Sequence, residues 1–192
     1  MTQSDAINRM LRYIGELPLP SDISIEELPE GHEAVVALDV LLETVAQEQE
    51  TAYWFNKYEQ TFIPNSGGYI SLPYNIISIQ STSNNIDYRI EGNDLYNNSQ
   101  QTKIFTEPVT VEILIAVEFE NLPKAFQTLC ILKASQELHI YFNGDAETQK
   151  HLNFLIQQQQ VKVDMENVRQ MKPNLIRGGR LLSRTSNPTA LV

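Results

Sequence analysis

The sequence predicts an α+β fold, in which a helical bundle of about four helices carries an inserted antiparallel β module between helices 2 and 3. Apolar residues recur at helical spacing toward both ends of the chain, whereas the middle shows short alternating runs between turn residues. The last twenty residues show neither pattern and are rich in basic residues. The expected division is therefore residues 1–52 and 120–172 for the bundle, 53–119 for the β module, and 173–192 for an extended basic tail.

The first helix is predicted over residues 4–14, where Ile7, Leu11 and Ile14 recur on one face. Ser4 is the expected N-cap, and Gly15 is expected to end the helix. Prolines then indicate an extended connection over residues 16–30. A second helix is predicted from about residue 31 to 51, with an apolar face formed by Val35, Leu38, Leu42 and Val45.

The period changes from helical to alternating after this second helix. Turn residues such as Gly67, Gly68, Asn84 and Asn85 separate short alternating runs, a pattern typical of tight antiparallel hairpins. Candidate strands are residues 60–63, 69–72, 76–80, 87–91, 94–96 and 109–119.

Helical periodicity returns after Pro123. A third helix is expected to end near Asn143 and Gly144, because glycine is favoured just after a helix C-terminus. Asp145 is the expected N-cap of a fourth helix over about 145–171. Its glutamine run at 157–160 is interpreted as a solvated stretch, and its apolar positions are Leu152, Leu155, Ile156 and Val163.

The net charge of −10 is unevenly distributed. Residues 1–168 carry nine Lys and Arg residues against all twenty-four acidic residues, whereas residues 169–192 carry five basic residues and no acid. An acidic body disfavours tight binding along nucleic-acid phosphates. The basic tail favours an acidic partner, and the acidic surface of a neighbouring copy would suit it. Arg177, Arg180 and Arg184 are therefore the expected partner-binding residues.

The N-terminal residues are polar and periodic, so the sequence predicts no signal peptide. Glu112 and Glu118 interrupt the longest apolar stretch, so no membrane-spanning segment and no membrane partner are expected. The interpretation is a protein of the cytosol.

The sequence predicts no catalytic, cofactor-binding or metal site. Cys130 is the single cysteine and lies on an apolar helix face, which favours a buried side chain over a nucleophile. His32, His139 and His151 lack a helical-spaced partner that would complete a zinc site. The sequence has two glycine pairs, Gly67-Gly68 and Gly178-Gly179, and neither is followed by the Lys-Ser/Thr of a phosphate-binding loop. The sequence therefore does not favour an enzyme.

Two further clusters have a structural and a functional interpretation. Glu26, Glu27 and Glu30 lie in the Pro-containing connection, where a solvated loop is favoured over paired catalytic carboxylates. The alternative is a docking site for the basic tail of another copy. The aromatic run at residues 53–55 is interpreted as a core between sheet and bundle, because a base-stacking site normally lies in a basic groove.

Several short stretches resemble, in order, tail tubular protein A of short-tailed phages. The first is LRYIGELP at residues 11–18, and the next are Trp54, Phe55 and Asn56, then Leu72 followed by proline. A longer group follows, with LP at 122–123, phenylalanine at 126, KAS at 133–135 and FNGD at 142–145. The resemblance covers roughly residues 5–165.

This resemblance implies a structural virion protein without catalysis or a cofactor. Members form an adaptor ring, twelvefold in the family, between the portal protein and the tail nozzle, which is tail tubular protein B. Genomic DNA passes through the ring without sequence-specific binding, and tail fibres attach nearby in relatives. The helical bundle would form the ring wall. The implied location is the virion tail or neck, after assembly in the host cytoplasm.

Two other interpretations stay open from the sequence. One is a different phage neck or head-completion protein with a similar helical wall. The other is a binding module, in which the β insertion recognises a host glycan or receptor through Tyr69, Tyr74, Tyr88 and Tyr96.

Overall fold

The protein has the α+β fold that the sequence predicts, and its described residues form four α-helices with antiparallel sheets between the second and third helix. A computed structural model describes residues 1–20, 23–82, 86–142 and 144–171. The predicted tail, the Asn84-Asn85 turn and Asn143 lie outside the described residues. The helices are α1 (Gln3–Ile14), α2 (Glu33–Glu48), α3 (Lys124–Phe142) and α4 (Ala146–Met171), and the strands are β1 (Lys57–Phe62), β2 (Ile76–Ser81), β3 (Tyr88–Glu91), β4 (Asp94–Asn97) and β5 (Val109–Ile115).

Helix α1 begins earlier than predicted because Thr2, not Ser4, is its N-cap. The Thr2 hydroxyl accepts a hydrogen bond from the Asp5 N–H, and the Asp5 carboxylate accepts one from the Thr2 N–H. This reciprocal pair satisfies two donors at the helix start. The helix ends as predicted at Gly15, whose φ of +85° suits a residue without a side chain.

The buried face of α2 matches the predicted one only in part: Val45 is buried in the bundle core and Leu38 packs against it, as predicted. Ala34, Ala37 and Leu41 are fully buried, whereas Leu42, predicted to face the core, is 43% exposed. Several apolar arcs exist on this helix, and the small alanines form the one that lets neighbouring helices approach closely. The nearby Thr44 is also buried, and its hydroxyl is satisfied there because it donates to the Val40 carbonyl.

Helix α3 lies at the centre of the bundle and packs against α1, α2 and α4. Its buried residues occur on every side of the helix, including Phe126, Leu129, Cys130 and Leu138. A helix that is apolar on all sides belongs in a core. The other three helices therefore surround α3 and each leave one side facing outward.

The strand pairing differs from the predicted series of hairpins. Strands β1 and β2 both pair with β5, in the order β1-β5-β2. Among the described strands, only β3 and β4 form a tight hairpin, which turns at Gly92. The predicted strand at 69–72 is reduced to a single bridge between Ser71 and Asp94. Strand β5 is the most buried of the three strands in its sheet, so it takes the central position, although this requires pairing across a long sequence separation.

The last predicted strand is also too long. It ends at Ile115, and a short 3₁₀-helix over Phe119–Asn121 follows before α3. Phe119 is buried in the core of the bundle rather than on the sheet. The alternating pattern continues past the strand because the chain enters the core of the helical bundle there.

Helix α4 begins at the predicted cap, Asp145. One carboxylate oxygen accepts hydrogen bonds from the N–H groups of Glu147 and Thr148, at 3.1 and 2.9 Å. The other lies 2.8 Å from Nε2 of His139. The hydrogen bonds from Thr148 and then the contact with His139 hold the pKa of Asp145 below its ordinary value.

Asp145→Asn is expected to make the stability of the protein less dependent on acidic pH. A depressed folded-state pKa adds stability above the unfolded value of about 3.9, and this stability is lost as pH falls through the folded-state pKa. The urea midpoint of the variant should lie below that of the wild type at pH 7, and the difference should shrink below about pH 4. Asp39→Asn, at an exposed position on α2, is the control for the removal of one carboxylate, and its urea midpoint at pH 7 should stay close to that of the wild type.

Candidate functional site

The segment that joins α2 to the sheets is fixed by buried amides. The Gln49 side chain donates to the Val117 carbonyl at 2.9 Å and accepts from the Val117 N–H at 2.7 Å. Asn56 is fully buried, donates to the Gln49 carbonyl and accepts from the Tyr53 N–H. The main chain of Asn56 also accepts from the Ile115 N–H, at the end of β5. These bonds hold bundle and sheet in one arrangement, since each broken pair would leave a buried polar group unsatisfied.

An aromatic cluster lies beside these amides, as the sequence predicts. The ring of Phe126 on α3 meets the edges of Tyr53 and Phe55, with centroids 4.9 Å away in both cases. The Trp54 ring packs edge-on against Phe55, and the main-chain N–H of Trp54 donates to the side-chain oxygen of Asn167 on α4. Helices α3 and α4 thus both contact the start of the β region. We refer to these aromatic and amide residues, 49 and 53–56 with 126, as the junction.

The titratable side chains near the core are structural. Burial raises the pKa of the Cys130 thiol to about 12, so the thiol is protonated at neutral pH. The buried His139 contacts Asp145 and the Gln149 amide, and His32 caps α2 by accepting from the Ala34 N–H. Among the described residues, no group of three or more His, Cys, Asp or Glu side chains is placed to hold a metal ion.

The four tyrosines of the predicted glycan site do not share one surface. Tyr88 packs against Phe105 in a small second core, whereas Tyr96 points to the other face of the β3–β4 hairpin beneath Arg89. Tyr74 lies beside α2, as described below. The described structure therefore does not assemble the site on which the binding-module interpretation depends.

Of the two predicted charged partner sites, the structure describes the glutamate cluster and not the arginines of the basic tail. Glu26, Glu27 and Glu30 are exposed, in agreement with a solvated loop, and the first two lie in a 3₁₀-helix over Ile25–Glu27. Arg177, Arg180 and Arg184 lie outside the described residues, so their role stays a prediction.

Helix α4 carries an apolar surface that sequence reasoning missed. Phe154, Val161, Met165 and Val168 are 50–66% exposed, and we call them the α4 stripe. At about 100° per residue, they lie on the side of the helix opposite Val163, which is fully buried. The spacing of seven, four and three residues is visible in the sequence, but the predicted apolar positions Leu152, Leu155, Ile156 and Val163 lie on the opposite arc of the helix.

The glutamine run on α4 was also interpreted wrongly in part. Gln159 is buried, and its side chain donates to the Ala125 carbonyl at the start of α3 at 2.7 Å. Gln157 and Gln158 are exposed, as predicted. This bond satisfies the buried Gln159 amide and ties α4 to the first turn of α3.

A second apolar surface lies between α2 and the chain that follows β5. It is a groove of about 650 Å³, and we call it the α2–β5 groove. Tyr74 stands beside it with 96% of its side chain exposed. Its apolar lining includes Leu42, Val45, Ala46, Ala116, Val117 and Phe119. Ile140 and Tyr141, at the end of α3, are exposed as well.

The α4 stripe and the α2–β5 groove are exposed apolar surfaces on a bundle and sheet that the junction holds together. Such surfaces are typical of proteins that assemble with other protein chains. Within the described part of the chain, no helix has the length and apolar character needed to cross a membrane.

Comparison with known proteins identifies the family. The sequence model of the tail tubular protein family matches residues 4–174, which include all four helices and both sheets. The chain therefore belongs to the tail tubular protein family, whose members are structural proteins of phage tails. It is also similar to tail tubular protein A of Klebsiella phage KP34, with 28% identity over 124 residues, which cover 65% of this chain. The matched region spans 64% of the length of that relative.

Proposed function

We propose that this protein is an adaptor that forms a ring, twelve copies around, between the portal protein and the tail nozzle of a short-tailed phage. The family match carries this proposal, because it extends over the whole described arrangement of helices and sheets. The name tubular also fits a protein that surrounds a channel. The adaptor acts by geometry and has no turnover, and it joins the virion during assembly in the host cytoplasm.

In this proposal the helical bundle, residues 1–52 and 120–172, forms the ring wall. The β module, residues 53–119, faces outward or toward the nozzle, where tail fibres also attach. The junction supports this role because its buried hydrogen bonds and packed rings make one rigid unit of bundle and sheet. A ring that holds the portal and the nozzle in place requires such a fixed arrangement of bundle and sheet.

The charge of the chain supports a channel through which genomic DNA moves. Residues 1–168 carry a net charge of −15, counting histidine as neutral. Acidic side chains around a channel repel DNA phosphates and so disfavour binding that would hold the DNA in place. The ring would therefore pass DNA without sequence-specific contacts.

Mixing the purified chain with a portal ring tests the adaptor role directly. Native mass spectrometry is expected to show a stable complex with one copy of this chain per portal subunit. The control is the same chain with a ring protein from an unrelated phage, which should give no complex. A chain that stays monomeric beside the portal would contradict the proposal.

The basic tail is proposed to dock through Arg177, Arg180 and Arg184 on an adjacent copy or on the portal. Deletion of residues 174–192 should weaken assembly on the portal while the circular dichroism spectrum and melting temperature stay unchanged. A matched variant with all three arginines replaced by lysine keeps the charge and should assemble more strongly than the deletion. Undiminished assembly of the truncated chain would rule out the docking role.

A further inference from the structure

The α4 stripe is an apolar face without a partner in the described structure. Its four side chains span residues 154–168, about 21 Å along the helix at 1.5 Å per residue. Helix α4 packs on α3 through the opposite side, where Leu152 and Val163 are fully buried. A helix that covers one side of a bundle normally presents polar residues to water, so a row of exposed apolar side chains indicates an interaction surface.

The α2–β5 groove is concave, whereas the α4 stripe lies on the convex surface of a helix. Its floor includes the buried residues Val45 and Phe119, and Leu42 and Ala46 of α2 line one side. Tyr74 projects beside it almost fully exposed, and tyrosine is among the residues that contribute most to binding at protein interfaces. A concave apolar groove of this kind accepts an amphipathic helix face.

The two surfaces lie on different elements and share no residue. A twofold contact uses the same surface on both copies and closes at two, whereas a ring requires two different surfaces that fit each other. One convex apolar helix and one concave apolar groove meet that requirement. Asp164 and Arg169 both border the stripe and Glu118 lines the groove, so the charges match in the one direction that places Arg169 beside Glu118.

We propose that the α4 stripe of one copy binds in the α2–β5 groove of the next copy around the ring. This inference rests on the proposed ring and names the contact that would build it. The apolar side chains supply the affinity, and Arg169 with Glu118 fixes the direction in which one copy follows another. The contact is heterologous, so each copy in a closed ring uses both surfaces.

Paired cysteines test which surfaces meet. Met165→Cys and Tyr74→Cys each place one accessible thiol, while Cys130 is fully buried and serves as the unreactive background in the wild type. Wild-type assembly on the portal is measured first. Each variant alone, and an equal mixture of the two, is then assembled on the portal and treated with a mild oxidant. The mixture is expected to give covalent dimers, and each variant alone is expected to give none.

Each other result would overturn the proposal. Dimers from Met165→Cys alone would show a stripe-to-stripe contact. A complete ring without dimers in the mixture would show that another segment, such as residues 172–192, or another partner covers these surfaces. A wild-type chain that does not assemble would overturn the adaptor role together with this contact, so the two failures are distinguishable.

A charge placed on the stripe gives an independent measurement. Met165→Glu is expected to weaken ring assembly at least tenfold, because the carboxylate would have to enter an apolar groove. Gln170→Glu, at an exposed position on the same helix outside the stripe, should change assembly less than twofold. Both variants should keep the monomer melting temperature, since both positions face water in the single chain. Normal assembly of Met165→Glu would overturn the proposal.

Discussion

Phe126→Ala is expected to lower the free energy of unfolding by about 4 kcal/mol, since removal of a buried aromatic side chain leaves a cavity as well as losing its burial. Phe126 is fully buried on α3 and contacts the rings of Tyr53 and Phe55. The loss would be a large part of the roughly 5–15 kcal/mol by which a domain is stable. Urea unfolding followed by circular dichroism measures it.

Phe154→Ala is the matched control, because it makes the same substitution on a helix where the ring is 56% exposed. Its effect on unfolding should stay within about 0.5 kcal/mol. The contact proposed for the α4 stripe predicts that it weakens ring assembly all the same. Equal destabilisation by the two substitutions would contradict the position of Phe126 at the centre of the core.

Asn56→Ala is expected to lower the free energy of unfolding by about 3 kcal/mol, because the Asn56 side chain satisfies main-chain groups of two buried residues, each costing about 1–3 kcal/mol when unpaired. The groups are the Tyr53 N–H and the Gln49 carbonyl, and the side chain also donates to the carbonyl of the exposed Thr51. The effect should be visible as a lower melting temperature. Asn56→Asp should also be destabilising, since a carboxylate cannot donate to the two carbonyls.

Asn75→Ala serves as the control for this prediction. The Asn75 side chain also donates to a main-chain carbonyl, that of Ala116, but it does so at an exposed position where water can replace it. Its unfolding free energy should change by no more than about 0.5 kcal/mol. A large loss at Asn75 and a small one at Asn56 would contradict the role assigned to the junction.

The residues that carry the family resemblance have identifiable structural roles. Gly15 ends α1 with a positive φ, and Gly144 has a φ of +63° between α3 and α4. Asn56 holds the junction, and the buried Ser135 donates to the Ile131 carbonyl within α3. Asp145 caps α4. These positions are recognisable in the sequence because each structural role requires a particular residue type at that position.

The pairing of the strands was not predictable in this way. Alternation located β2, β3 and β4 to within about a residue, but the prediction assumed pairing between neighbours in sequence. Strand β1 instead pairs with β5, with Lys57 opposite Leu114. Such a contact depends on how the chain closes a long loop, and alternation contains no information about the partner.

The sequence by itself determined the α+β class, the four helices, the end of α1 at Gly15, the start of α4 at Asp145, and membership in a family of tail proteins. Those features depend on local periodicity, on single capping residues and on short motifs. Only the tertiary structure decided which arc of α2 is buried, that Gln159 lies inside, and that the α4 stripe faces outward. Burial depends on which neighbouring element covers a face of the helix. Where a helix has apolar residues on two sides, only its packing against the other elements decides which side is buried.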